Sequence, residues 1–418
     1  MRGAADALIL CLMSRSILIL GAGQAAAQLV DTLRKRGHTG PLTVVGDEPH
    51  LPYQRPPLSK KYFSGALERD RLFIRHAAFY AEHGVDLRLG RRALRIDRAA
   101  RAITLDDGAT LGFDTLVIAT GSRPRHISLP GAELGGVHYL KTLQDADQLR
   151  ELARPGRRAV IIGGGYIGLE VAATCRELGV DVTVLEMADR VMSRVVCEPV
   201  SRYYEAEHAR HGVDIVLQTR LQEFIDNGAG RVSAVLCEDG SEYPADFVVV
   251  GIGVVAEDQL ARDAGLECGN GIVVDEHCRS SDPDIFAIGD CSFHPSPRYG
   301  TRLRLESVDN AFEQANTAAL NILGTPTVHD KVPWFWSDQY HHKLLIVGLS
   351  QGHDQVVLRG DPTAHTFSAC YLRGGELIAI DTVNNAKDQM AARKLIAARV
   401  RPDPAKLADP GIALKDCV

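Results

Sequence analysis

The sequence predicts an α/β fold of two Rossmann-like halves followed by a C-terminal α+β domain, and three observations carry that reading. A strand, glycine turn, helix and second strand run over Ser16–Glu48, and the same order returns over Arg158–Glu186. Each is a βαβ unit of about 30 residues, an internal duplication of type rather than a tandem repeat. After residue 330 the texture changes. Leu344–Leu349, Gln355–Arg359, Phe367–Arg373 and Leu377–Val383 alternate like antiparallel strands around a Gly374-Gly375 turn, and a helical segment, Ala386–Val400, follows.

Composition bounds the function. At about 100–200 residues per domain, the length suits two to four domains. Hydrophobic residues make up 45% and charged residues 24% of the 418, as in ordinary soluble proteins. The net charge, 47 − 53 = −6, argues against a nucleic-acid binder, which usually carries a basic surplus. No run approaches the roughly 18 apolar residues of a membrane span. Ala7–Met13 is apolar behind a lone Arg2, but Ser16–Leu20 already reads as the first strand. That leaves no room for a signal peptide; we expect Met13 as the natural start and residues 1–12 to be poorly ordered. The nine cysteines are scattered with no C-x-x-C pair. Neither a metal site nor a disulfide scaffold is expected, and a reducing cytoplasm fits.

Between the two βαβ units lie short β-like runs at Arg88–Ile96, Ala102–Leu105 and Thr115–Thr120, with Asp-Asp-Gly turn chemistry at 106–108. A similar hairpin signal recurs at Val232–Glu242. Pro402–Pro410 reads as a surface loop.

The first glycine motif, Gly21-Ala22-Gly23-Gln24-Ala25-Ala26, follows the strand Ile17–Leu20 and opens the helix Ala25–Arg36. Gly21 allows the tight turn, Gly23 lets backbone approach a pyrophosphate, and Ala26 lets helix and strand pack closely. The helix N-terminus offers N–H groups and a positive dipole end to the phosphates. Asp47 and Glu48, at the end of Leu42–Val45, stand where an acid holds a ribose hydroxyl.

The second motif, Gly163-Gly164-Gly165-Tyr166-Ile167-Gly168, follows Ala159–Ile162, and its acid is Glu186 after Val182–Leu185. Glu186 would bond both ribose hydroxyls of NAD and repel the 2′-phosphate of NADP, so NADH is expected. Arg190 and Arg194 keep NADPH open as the alternative. Two dinucleotide sites in one chain imply an electron path between two nucleotides. Ala119-Thr120-Gly121 ends a strand and marks a crossing between domains. Gly289-Asp290 ends a later strand, where Gly289 permits close approach and Asp290 can take a sugar hydroxyl.

With these motifs in place, the chain resembles the FAD-dependent, NADH-using ferredoxin reductases of oxygenase systems, the putidaredoxin reductase type. The resemblance runs from about residue 15 to 415. It rests on Leu51–Lys60 (LPYQRPPLSK), Arg304–Asn310 (RLESVDN) and Pro333–Tyr340 (PWFWSDQY). The wider two-Rossmann, glutathione-reductase-like architecture is shared with disulfide reductases. The resemblance implies an FAD domain from 1–125 with 256–330, an NAD domain over 126–255, and a C-terminal domain over 331–418. It implies that Arg55 and Lys60 lie along the FAD, with Arg123 near its phosphates and Asp290 on the ribityl chain. Glu306, Ser307 and Val308 would border flavin and nicotinamide. Gly251 and Gly253 would border the nicotinamide. Glu170 would sit near the nicotinamide and pair with Lys60. Trp336 would cover the flavin edge that faces the redox partner.

A cation near the flavin stabilises the charge left after hydride arrives, a Lys–Glu contact favours both charged forms, and an aromatic ring can exclude water. The bland readings are a loop lysine, a solvated helix charge and a core tryptophan. The chain departs from the family at Ala256-Glu257, where Pro-Asn is usual, and at His341-His342, where Asp-Leu is usual. Adjacent residues on one strand face opposite sides, so the histidine pair is not expected to bind metal. No dithiol stands in Leu51–Lys60, and no C-terminal His-Pro-Thr occurs. Electrons therefore cannot leave through a thiol relay. The expectation is a monomeric NADH:ferredoxin reductase passing single electrons to a [2Fe-2S] ferredoxin, which supplies a P450 or a ring-hydroxylating dioxygenase. The alternatives are an NADH oxidase, a rubredoxin-type reductase, or a signalling flavoprotein like apoptosis-inducing factor.

Overall fold

Ile17–Leu20 and Arg158–Ile162 are short runs dominated by isoleucine, leucine and valine, and each becomes the central strand of a parallel five-stranded sheet. Strands buried on both faces need such continuous apolar runs rather than alternation. The structure, a computed structural model, describes residues 12–418. The expected disorder of residues 1–12 therefore lies outside it, except for Leu12, which is helical with residues 13 and 14.

The chain forms two units. One takes the chain up to Gln54 with Arg69–Arg123 and Val254–Lys331; the other takes Arg55–Glu68, Pro124–Gly253 and Val332–Val418. In the first unit the strand order is Ile285–Ala287, Thr115–Ile118, Ile17–Leu20, Leu42–Gly46, Val85–Leu89. In the second it is Val137–Tyr139, Phe247–Val250, Arg158–Ile162, Asp181–Leu185, Asp214–Val216. Written this way the two orders match at the central strand, its two neighbours and the last strand; the first strand of each differs, coming last along the chain in the first unit and before the central strand in the second. In each, the chain leaves the central strand to one side and later returns to the other. That puts a topological switch point at the C-terminal end of the central strand, where open α/β sheets bind ligands.

The helix Gln24–Lys35 buries Ala25, Ala26, Leu29, Val30 and Leu33 in the first unit's core. It packs there against Ala311, Ala315, Ala318 and Ala319 of the helix Val308–Ile322. Small residues let the two helices come close. The expected single run Arg88–Ile96 is two strands, Val85–Leu89 and Ala93–Asp97, because Gly90 at φ 66° breaks the extended backbone between them. They join different sheets.

In the second unit, Trp334–Gln339, His342–Gly348, Glu376–Val383, Thr366–Arg373 and Gln355–Asp361 form one antiparallel sheet in that order. Its Leu344, Phe367 and Tyr371 share a core with Leu169, Val200 and Tyr204. His341 does not lie on a strand. It sits with Tyr340 in the tight turn that pairs Gln339 with His342. Strand alternation therefore does not apply, and the His341 and His342 ring centroids are 3.9 Å apart.

The helix Ala386–Ala397 is capped by the Asn385 side chain and ends three residues before the expected Val400. The expected loop Pro402–Pro410 contains a helix, Pro404–Ala408. Asp403 caps it, Pro404 occupies its first turn, and Leu407 is fully buried. Asp-Pro is a helix-start signal. Arg359 holds this tail: it donates to Asp388 at 2.9 Å and to the carbonyls of Leu407, Asp409 and Ile412.

Among the buried histidines, desolvation lowers His208, His294 and His329 furthest. Burial lowers His208 to about 4, His294 to about 3 and His329 to about 4. An unfolded histidine titrates near 6.5, so between about 6.5 and 4 the unfolded state binds more protons. The stability these groups contribute is complete above about 6.5 and is lost as pH falls toward about 4. We expect the urea midpoint, followed by tryptophan emission, to drop steadily between pH 7 and pH 5. A flat midpoint over that window would contradict the assignment.

Candidate active site

The two βαβ units repeat one turn atom for atom. Gly21 N donates to Val45 O at 2.7 Å, and Gly163 N donates to Leu185 O at 2.8 Å. Ala119 N donates to Leu20 O, and Gly251 N donates to Ile162 O, both at 2.7 Å. Gly21 has φ 107° and Gly163 φ 102°, conformations that side chains rarely adopt. A Cβ at Gly21 would lie 2.1 Å from Ala119 O, and one at Gly163 2.6 Å from Gly251 O. Only glycine fits at both.

Gly23 and Gly165 have a different job. Each precedes the first helical residue without a side-chain cap, and a Cβ there would meet nothing within 4 Å. Protein packing does not demand these glycines. They leave open space over first-turn N–H groups that have no acceptor within the helix, and neither first turn carries an acid. A pyrophosphate fits such a cradle. At Gly168 a Cβ would strike Gly163 O at 2.1 Å, while Ala26 occupies the matching position in the first unit. Tyr166 packs its ring 4.9 Å from Phe335, and Ile167 is exposed.

The acids differ. Glu186 is fixed beside its cradle: one oxygen accepts Gly164 N at 2.7 Å, the other Ala188 N at 2.8 Å. The position matching Glu186 in the first unit is Gly46, where a Cβ would lie 2.5 Å from the Ala22 Cβ. Crowding therefore moves the acids onward. Asp47 is exposed, and Glu48 accepts the Tyr53 hydroxyl at 2.6 Å.

Within the first unit, several expected residues converge. Gly289 lies against Ala25 of the glycine helix, and its N–H donates to Gln314 at 2.7 Å. Ser122 donates to Asp290 at 2.7 Å. Thr120 donates to Glu257 O at 2.5 Å, Glu257 N donates to Gly121 O at 3.0 Å, and Arg123 pairs with the Glu257 carboxylate at 3.3 Å. The Ala256-Glu257 departure thus builds a tether to the Ala119–Arg123 crossing. Ser307 caps the helix that Val308 begins, and Glu306 pairs with Arg304.

The second unit gathers the others around Glu170, whose side chain is 4% exposed. Lys60 Nζ lies 2.6 Å from Glu170 Oε2, Ser59 donates to the same oxygen at 2.6 Å, and Ser337 donates to Oε1 at 2.7 Å. Sequence reasoning missed both serines. Ser59 was legible only as Lys60's neighbour, and Ser337 carries no local signal. Arg55 donates to Lys141 O at 2.6 Å, Gly253 O accepts Arg125 N at 2.9 Å, and Gly251 holds the strand end. Trp336 alternates with Ser337, so it faces away from Glu170; its ring stacks on Trp334 at 5.4 Å.

A model of pyridine nucleotide-disulphide oxidoreductases matches residues 15–315, and one of the reductase C-terminal domain matches 334–418. The chain belongs to the pyridine nucleotide-disulphide oxidoreductase family. Rhodocoxin reductase of Rhodococcus erythropolis is 44% identical to it over 96% of this chain and 93% of its own. The ferredoxin–NAD(+) reductase component of the anthranilate 1,2-dioxygenase system of Burkholderia cepacia is 43% identical over 95% of this chain and 98% of its own. The solved covalent complex of putidaredoxin reductase with putidaredoxin superposes with a TM-score of 0.93. It is 40% identical and covers 96% of this chain and 97% of the matched one. Membership implies FAD and NAD(H) as cofactors.

The eight described cysteines are all free. Burial pushes Cys175 and Cys370 up to about 12 and Cys291 to about 11, and thiols held protonated are poor nucleophiles.

The Glu170 cluster makes a stability prediction. Breaking a buried pair from one side costs about 3–5 kcal/mol, whereas replacing both partners with apolar groups is often near neutral. Glu170→Met should lower the urea midpoint sharply, and adding Lys60→Met should restore most of the loss. Additive losses would show that the pair is not coupled.

Proposed function

We propose that this chain is an FAD-dependent NADH:ferredoxin oxidoreductase that passes single electrons to a [2Fe-2S] ferredoxin, which supplies a cytochrome P450 or a ring-hydroxylating dioxygenase. The observation that carries the reading is the pair of matching glycine cradles in one chain, set beside full-length kinship with ferredoxin reductases of oxygenase systems. FAD supplies the conversion, accepting one hydride and releasing two single electrons.

The residues divide the work. Residues 1–125 with 256–330 form the FAD domain in this reading. There Gly21, Gly23 and Ala26 shape the phosphate cradle, Asp47 takes the ribose, and Ala119–Gly121, Arg123, Gly289 and Asp290 line the remaining length. Glu306, Ser307 and Val308 complete that lining, and Arg55 and Lys60 add positive charge. Residues 126–255 bind NADH through Gly163, Gly165, Tyr166, Ile167, Gly168, Gly251 and Gly253. Glu186, preset by two backbone N–H donors, takes the adenosine ribose hydroxyls and repels a 2′-phosphate. Lys60, ion-paired with Glu170, supplies a fixed cation where charge develops. Trp336 excludes water and, with residues 331–418, faces the ferredoxin. The protein works as a cytoplasmic monomer in this reading. Among the described residues no helix is long and apolar enough to cross a membrane.

NADH-driven cytochrome c reduction by the purified yellow protein should depend strongly on an added [2Fe-2S] ferredoxin. If the flavin is reduced but ferredoxin adds nothing, the reductase reading fails and an oxidase or signalling role replaces it. Glu186→Arg should shift the NADH/NADPH ratio of kcat/KM by at least tenfold toward NADPH, about 1.4 kcal/mol. An unchanged ratio would remove Glu186 from the ribose site.

A further inference from the structure

Tyr203, Glu207, His342 and His365 meet in the second unit from segments far apart in sequence. Tyr203 and Glu207 lie one turn apart on the helix Glu198–Arg210. His342 opens the strand His342–Gly348, and His365 stands in the turn before Thr366–Arg373, in the left-handed region at φ 55°. The Glu207 and His342 side chains are 4% and 0% exposed, and that of His365 is 38% exposed. His342 Nε2 lies 3.0 Å from Glu207 Oε2, and His365 Nδ1 lies 3.5 Å from Glu207 Oε1. One ligand atom from each of the three falls within 4.8 Å of the others. The electron-transfer reading gives none of these four residues a role of its own.

Their chemistry is unbalanced as an ion pair. His342 is fully buried against Glu207, and a neutral imidazole is the form that ligates metals. Glu207 is left with Arg210, whose side chain is 59% exposed on the helix surface. Two imidazoles and one carboxylate make the His₂Glu set that holds zinc at about 2.0–2.2 Å with a fourth position open. Tyr203 sits 2.8 Å from His342 Nδ1 and 2.9 Å from His365 Nδ1. A partner on the far ring nitrogen of His342 fixes its tautomer and turns Nε2 toward Glu207, as outer-shell groups do at metal sites.

We propose that Glu207, His342 and His365 form a divalent transition-metal site of the zinc type, clipping the helix Glu198–Arg210 to the C-terminal sheet. The half-exposed His365 is its entry, and water completes the coordination.

The test is titration of the chelator-treated, dialysed holoenzyme with ZnCl₂ by calorimetry, with CoCl₂ as a spectroscopic probe. One equivalent of Zn²⁺ per chain should bind and raise the urea midpoint, and Co²⁺ should give the visible bands of a tetrahedral site. His365→Asn should abolish stoichiometric binding; asparagine tolerates the left-handed backbone there, so the fold is kept. Tyr203→Phe should weaken binding by about 10–100-fold. His353→Asn, an exposed histidine elsewhere, should change nothing. Absence of one-to-one binding, or equal binding by His365→Asn, would overturn the site. NADH reduction of ferricyanide, which needs no ferredoxin docking, should stay at the parent level in His365→Asn, which separates this site from hydride transfer to the flavin.

Discussion

The rest of the structure depends on the approach of a strand-end carbonyl to the glycine that follows the central strand. At Gly21 and again at Gly163 the neighbouring carbonyl occupies the space a Cβ would need. The turn can therefore close only with glycine, and closing it has several consequences. It ties the central strand to both parallel neighbours through bonds of 2.7–2.8 Å. It also aims the next helix so that its unpaired N–H groups look out over the switch point of the sheet. The open positions at Gly23 and Gly165 matter only because the turn places them there. The same device in both units is why one chain carries two such cradles.

A second constraint governs the other half of the machinery. Glu170 is a buried carboxylate, and a buried charge is tolerated only when paired and hydrogen-bonded. Its oxygens collect an ammonium and two hydroxyls from two segments far from its own helix: Ser59 with Lys60, and Ser337 of the strand Trp334–Gln339. Satisfying that one group orients Lys60 and anchors the strand that carries Trp336 on its opposite face. The tail is held in the same manner by Arg359, a buried cation surrounded by carbonyls and Asp388. In both places electrostatics fixes elements that apolar packing alone would leave free to slide.

The helix Glu198–Arg210 shows how a single element can serve unrelated ends. Val200 and Tyr204 sit in the core shared with the C-terminal sheet, His208 bonds Gln339 at 2.9 Å, and Glu207 and Tyr203 turn toward His342 and His365. A helix presents several faces within two turns, so packing and polar chemistry coexist on it.

The sequence by itself determined the parts governed by local rules. Glycine spacing, apolar strand runs and the acid after Leu185 respond to constraints within about 30 residues of one another, so both βαβ units, the Glu186 placement and the antiparallel C-terminal strands were legible. Local signals were also present where the reading slipped: Gly90 divides Arg88–Ile96, and Asp403-Pro404 starts a helix in the expected loop. Tertiary structure alone decided the rest. That Gly46 is too crowded for an acid depends on the Ala22 Cβ. The Glu170 partners come from positions more than 100 residues away. The Glu207, His342 and His365 cluster exists only because a helix, a strand end and a turn converge. Sequence spacing records neighbours along the chain, whereas a buried charge selects its partners by distance in space, and only the packed fold sets those distances.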